Sequence, residues 1–177
     1  MKRNILIAFA ATSLLFYSTQ AFALLSFSAG VPFSHTITGK FNDGTAIKSD
    51  GVSGMFIQVG VPIFPGVGMD SYKTKLKDTT IELATMIYNL YYLLPIPIIN
   101  LTLGAGVGST ELQCSGCAAD FDKGSASQWY ASFGMPIIPL FDMHLSYRSV
   151  SSKIKIKSGG EHDFSGNVMG LGIGFNF

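Results

Sequence analysis

One property of this sequence limits its folds more than any other: over most of its length, apolar side chains fall on every second residue. In residues 99–108 the odd positions are Ile99, Leu101, Leu103, Ala105 and Val107, and the even ones are Asn100, Thr102, Gly104, Gly106 and Gly108. Successive side chains of a β-strand point to opposite sides, so this spacing predicts a strand with one greasy face and one small or polar face. The same spacing recurs in residues 25–33, 55–63, 129–137, 141–147 and 169–177. Residues 69–77 are more polar, with Tyr72, Thr74 and Leu76 alternating with Ser71, Lys73, Lys75 and Lys77, and are read as a strand because a partner is needed. Residues 81–94 are almost continuously apolar. Their Tyr, Ile and Thr content and the Pro95-Ile96-Pro97 stop favour a strand over a buried helix.

Which face is inside decides the class. A soluble barrel or sandwich would bury the large apolar face, leaving water to meet a surface of glycine and small residues with almost no Lys or Glu. The inverse arrangement, with large apolar residues against lipid and Gly, Ser, Thr and Asn toward a lumen, is the pattern of a transmembrane β-barrel. The expected fold class is therefore all-β, a transmembrane antiparallel up-and-down β-barrel. A content of 47% hydrophobic against 13% charged residues excludes disorder, and 12 Lys+Arg against 11 Asp+Glu leave no basic stripe for nucleic acid.

Lys2 and Arg3 precede the mostly apolar residues 5–16, and Ala21-Phe22-Ala23 follows polar Ser18, Thr19 and Gln20. This is the pattern of a secretory signal peptide over residues 1–23, with export through the Sec pathway. No cysteine stands at the cleavage point, so a lipid anchor is not expected. Removing 23 of 177 residues leaves 154, with 10 basic and 11 acidic groups. The connections are of two kinds: short and proline-rich near residues 62–66, 94–97 and 135–139, and polar over residues 35–50, around Asp78, and over 110–127 and 151–163. Three short turns and four loops join eight strands, with both chain ends on the short-turn side. At about 19 residues per strand and connection, residues 24–177 suffice for eight strands of the roughly 9–11 residues that a tilted crossing needs.

In this pattern the chain resembles the small eight-stranded outer-membrane proteins of the OmpA, OmpX and OmpW kind. The most motif-like stretch is the last, Met169-Gly-Leu-Gly-Ile-Gly-Phe-Asn-Phe177, in which Phe175 and Phe177 resemble the signal read by the barrel-assembly machinery. The resemblance implies residence in the cell outer membrane as a monomer. It also implies contact with outer-membrane lipids and lipopolysaccharide, and assembly by that machinery.

An eight-stranded barrel is just wide enough for side chains to fill it. Phe56, Tyr130 and Arg148 are expected in the space that lumen glycines leave. Asp142, His144, Ser146 and Arg148 share one face of one strand and are expected to form a paired polar network in the lumen, with the lysines of residues 69–77 as further inward candidates. His144-Leu145-Ser146 also resembles the His-x-Ser of the lipid A 3-O-deacylase family, an eight-stranded barrel enzyme of the outer membrane. That resemblance implies Ser146 as nucleophile, His144 as base and Glu161 as the orienting acid. The family continues with Asn where this chain has Tyr147, and parity sends His144 and Ser146 to the lumen, away from lipid.

His35 and His162 stand at loop edges without a second ligand at metal spacing, and are expected to be solvent-exposed. No metal and no cofactor is expected. Cys114 and Cys117 are expected to form a local loop disulfide in an oxidising compartment; the redox-active alternative needs a helix start, which Ala118, Ala119 and Asp120 do not suggest. The resulting expectation is a non-enzymatic outer-membrane barrel whose loops 35–50, 110–127 and 151–163 carry recognition. The alternatives are a deacylase-like enzyme, an OmpW-like conduit for small apolar molecules, and a soluble lipocalin-like barrel.

Overall fold

Two-sided strands with no helices to cover them leave two open sheet edges, and closing the sheet on itself removes both. That is the observed solution. A computed structural model describes residues 25–61, 64–96, 99–138 and 140–176. The expected signal peptide, Pro62, Ile63, Pro97 and Pro139 of the short turns, and Phe177 lie outside the described residues. The strands are β1 (Ser26–Ile37), β2 (Ser49–Gly60), β3 (Gly66–Leu76), β4 (Glu82–Ile96), β5 (Ile99–Gln113), β6 (Gly124–Ile138), β7 (Phe141–Lys155), β8 (Glu161–Asp163) and β9 (Gly166–Asn176). Each of β1 to β6 pairs antiparallel with the next in sequence, and β7 pairs with both β8 and β9. The short β8 and the longer β9, separated by residues 164 and 165, thus make one interrupted eighth barrel strand. Pairing of β9 with β1, from Ser26 opposite Asn176 to Ile37 opposite Gly166, closes the barrel.

Parity assigns the faces. Trp129, Phe133, Met135 and Ile137 of β6 are exposed on the outside, while Tyr130 and Ser132 between them are buried. On β2 the exposed Met55 and Val59 alternate with buried Phe56 and Gln58. β4 is continuously apolar because its inward residues Leu83, Ile87 and Tyr91 are themselves buried apolar groups, while Met86, Tyr88, Leu90 and Tyr92 face out. On β3 the inward set is Asp70, Tyr72, Thr74 and Leu76. The lysines of this segment therefore do not point inward: Lys73 and Lys75 share the outward parity of Val67, and an ion pair joins Lys73 Nζ to Glu82 on β4 at 3.5 Å.

The expected loops shrink. Strand pairing runs to Gln113 on β5, from Gly124 on β6 and to Lys155 on β7, so both ends of the expected loops 110–127 and 151–163 are strand. The apolar alternation stops earlier because outward positions such as Ser127, Ser151 and Lys153 continue the ladder with polar side chains. One helical turn, α1 (Cys117–Asp120), lies in the loop between β5 and β6. This corrects the expectation of no helix start there; four residues are too few to leave a periodic trace.

The lumen is layered. At the loop end Ile37, Ile47, Leu76, Leu83, Ile154 and Phe164 form an apolar plug, flanked by Phe41, Ile81, Leu112 and Phe121. Next come Phe56, Tyr72, Ile87, Ala126, Val150 and Val168. Glycine makes room for these side chains. A Cβ at Gly170 would collide with the Phe56 ring, one at Gly172 with the His144 ring, one at Gly174 with the Asp142 carboxylate, and one at Gly104 with the Tyr130 ring. Gly170→Val is expected to lower stability by ~1–3 kcal/mol through overpacking, read as a shift in the urea midpoint followed by the fluorescence of Trp129, the single tryptophan. Val at Leu171, whose side chain faces out, should leave the midpoint nearly unchanged.

Candidate functional site

The middle of the lumen is organised by one buried ion pair. Arg148 of β7 and Asp70 of β3 stand across the barrel, and Arg148 Nε donates to Asp70 Oδ2 at 2.9 Å. Both side chains are nearly inaccessible, at 3% and 0% exposure. Such a pair is favoured when further hydrogen bonds satisfy the two groups, and the surrounding strands supply several, although Asp70 Oδ1 has no partner among the described residues. Gln128 Nε2 donates to Asp70 Oδ2 at 2.5 Å and to Asn89 Oδ1 at 2.7 Å. Arg148 Nη1 donates to Ser146 Oγ, which itself donates to the Gly170 carbonyl at 3.2 Å. The guanidinium carbon lies 3.5 Å from the Phe56 ring centroid and 5.0 Å from that of Tyr130, a cation–π sandwich. Tyr130 in turn accepts from Gln58 Nε2 at 2.7 Å.

Toward the short turns the lumen opens into a polar vestibule. Asn100 Nδ2 donates to Asp142 Oδ2 at 2.9 Å, and His144 Nδ1 lies 3.3 Å from Asp142 Oδ1. Ser26, Ser28, Gln58, Tyr91 and Ser132 complete the wall, around about 40 Å³ of space. A single water needs roughly 10–15 Å³ of such space and drug-sized ligands fill pockets of about 300 Å³ or more. The vestibule therefore has the size for a few waters. Among the described residues, two apolar layers fill the lumen on the loop side of the ion pair.

The four residues expected in the network share one strand face but form two groups. Asp142 and His144 belong to the vestibule, Ser146 and Arg148 to the central cluster. The three deacylase positions are not brought together. Glu161 pairs in register with Lys155, nine residues along β7 from position 146, which is ~30 Å at strand rise. Its carboxylate takes the Lys153 ammonium at 2.8 Å, while the acid beside His144 is Asp142. Cys114 and Cys117 are bonded as a disulfide at the start of α1.

Two histidines depart from expectation. His35 is not solvent-exposed: it is 5% exposed, with Nδ1 2.6 Å from Thr74 Oγ1 and its ring edge-on to Tyr72. The cause is a register shift between Pro32 and Ser34 against β9, which leaves Phe33 unpaired and reverses parity for the rest of β1. His162 is half-buried in the loop-end cap, between Phe41, Phe121 and Phe164 at centroid distances of 5.1, 5.8 and 6.2 Å. Its Nδ1 accepts the Asn42 N–H at 3.0 Å. Burial holds its pKa below the usual imidazole value, opposed by the nearby Asp43. Bridges of Lys40 with Ala46 and Phe121 with Ile156, and the bond from Lys157 N–H to the Asp120 carbonyl at 2.9 Å, tie the loops into this cap.

Asp70 is the residue that the sequence reading missed. It shares the parity of Tyr72, Thr74 and Leu76, and Arg148 is the sole arginine after Arg3, so a lone inward guanidinium needing an anion was the available signal.

No protein-family model and no curated protein matches the chain. Among solved structures, Neisserial surface protein A (NspA) is similar at a TM-score of 0.61 with 12% identity, covering 86% of this chain and 96% of that one. The chain shares the NspA fold. OmpT of Vibrio cholerae is matched at 14% identity and a TM-score of 0.36, covering 88% of this chain and 52% of that one; the chain spans about half the length of that barrel.

Two outcomes follow from the geometry. Asp70→Asn or Arg148→Met alone leaves a buried charge unpaired and is expected to cost ~3–5 kcal/mol, whereas the double replacement recovers most of that loss; a double-mutant cycle in urea measures the coupling. A His with a depressed folded pKa favours the folded cap fully above its unfolded value of about 6.5, and loses that contribution as pH falls through it. Amide-exchange protection at Asn42 should accordingly decline below about pH 6.5, and His162→Phe should flatten that dependence.

Proposed function

We propose that the protein is a monomeric, non-enzymatic β-barrel of the outer membrane that presents its loop end for recognition. The observation that carries this reading is the outward belt of large apolar side chains, including Val107 at 70%, Trp129 at 57% and Met135 at 70% exposure. A soluble protein would not spread such residues around its whole girth. NspA, whose name makes it a surface protein, supports the location. The orientation follows from the connections, short on the periplasmic side and longer on the external side. Phe175 and Phe177 then serve as the signal for the barrel-assembly machinery, the residue 1–23 segment directs Sec export, and lipopolysaccharide and phospholipid are the lipids met by the belt. The capped loops favour recognition because a platform held by the His162 aromatic cluster and the Cys114–Cys117 disulfide loses little freedom on binding.

The expressed protein is expected in the outer-membrane fraction, with a heat-dependent electrophoretic mobility, and its loops should be labelled on intact cells. Recovery in the aqueous fraction would refute the location. The lipid A mass profile of a deletion strain should match the parent; loss of an acyl-chain-cleaved species, repeated by Ser146→Ala, would establish the deacylase reading instead.

A further inference from the structure

The two ends of the barrel differ in chemistry as well as in length. All lysines beyond residue 23 lie on the loop side, at positions such as Lys40, Lys75, Lys123 and Lys157. The three short-turn segments, residues 60–66, 94–99 and 135–141, contain no charged residue. They instead carry exposed apolar side chains: Phe64 at 66%, Ile99 at 44%, Ile137 at 62% and Leu140 at 54%.

Height makes the difference consequential. On β6 the outward apolar run extends from Trp129 to Ile137, and the next outward positions toward the loops are Ser127 and Ser125. On β5 it extends from Ile99 to Val107, followed outward by Ser109 and Glu111. Eight residues of a strand tilted by about 40° span ~20 Å, short of the roughly 25 Å apolar band of such barrels. Both runs already end on rim residues, Ile99 and Ile137, and the exposed Phe64 and Leu140 continue the same apolar surface into the turns.

Backbone geometry at the rim points the same way. Leu140 has a φ of 80°, a left-handed conformation that favours Gly or Asn over a leucine. At the loop end the positive-φ positions are Gly44, Gly51, Asp78, Gly116, Gly159 and Gly160. Leu140 keeps an apolar side chain there that is 54% exposed.

We infer that the short-turn rim is immersed in the interface of the inner leaflet, with lipid as its partner, and does not project into periplasmic water. The polar vestibule then opens at the level of the lipid headgroups. This rests on the membrane reading above, through the continuity of rim and belt.

Trp129 supplies an internal reference for the test. The protein and its W129F/F64W variant are reconstituted in vesicles of phosphatidylcholine with plain or dibrominated acyl chains, and fluorescence is also titrated with aqueous acrylamide. The expected result is that bromolipid quenches the F64W indole within about twofold of Trp129, and that acrylamide quenches it no more than Trp129. Acrylamide quenching of F64W without bromolipid quenching overturns the inference and leaves the membrane reading intact. Quenching by neither agent assigns the rim to a second copy of the chain and also overturns it. Absence of bromolipid quenching at Trp129 itself overturns the membrane reading. Should W129F/F64W not fold, W129F/I137W puts the same question on β6 with the same outcomes.

Discussion

Closing eight strands leaves an interior about one side chain deep, and most of this structure follows from that narrowness. Every inward residue must be matched in size by its neighbours across the pair and across the lumen. Hence β9 is glycine at positions 170, 172 and 174, where Phe56, His144 and Asp142 crowd against its backbone. The same narrowness forces Arg148 to lie between two aromatic rings and to find its anion on β3. An isolated guanidinium there would carry its full desolvation cost. With Asp70, Ser146 and Gln128 in place, the charges are held by a network drawn from β3, β6 and β7.

This arrangement separates the chemistry of the chain from its catalytic resemblance. Ser146 has the neighbours of a structural hydroxyl: it accepts from Arg148 and donates to a backbone carbonyl. His144 is oriented by Asp142, two residues away on the same face, inside a vestibule of water dimensions. What reaches the outside is lipid-like on the belt and charged on the loop cap. The cap is a packed layer in which aromatic rings from three loop regions surround one imidazole, so its outer surface is fixed by the same contacts that seal the lumen.

Much of this was legible from residue order because strand parity is a local property. The alternation in residues 55–63, 99–108 and 129–137 assigns Phe56, Gly104 and Tyr130 inward and Met55, Leu103 and Trp129 outward, as observed. The reading failed where pairing, rather than spacing, sets the side. Phe33 is skipped by β9, so His35 turns inward against the count. Polar strand ends at residues 110–113 and 151–155 read as loops because hydrogen bonding continues after the apolar signal stops.

What the sequence alone determined is the two-faced wall: six alternating segments with two more read as strands, a greasy side, a glycine-rich side, and turns of two lengths. Each depends only on neighbours in the chain. Which charges meet was decided by tertiary structure, because Asp70 and Arg148 are 78 residues apart and come together only when the sheet closes. The layering of the lumen is of the same kind. Ile37, Leu83, Ile154 and Phe164 belong to different strands or to the break between β8 and β9, and only strand tilt and register bring them to one height.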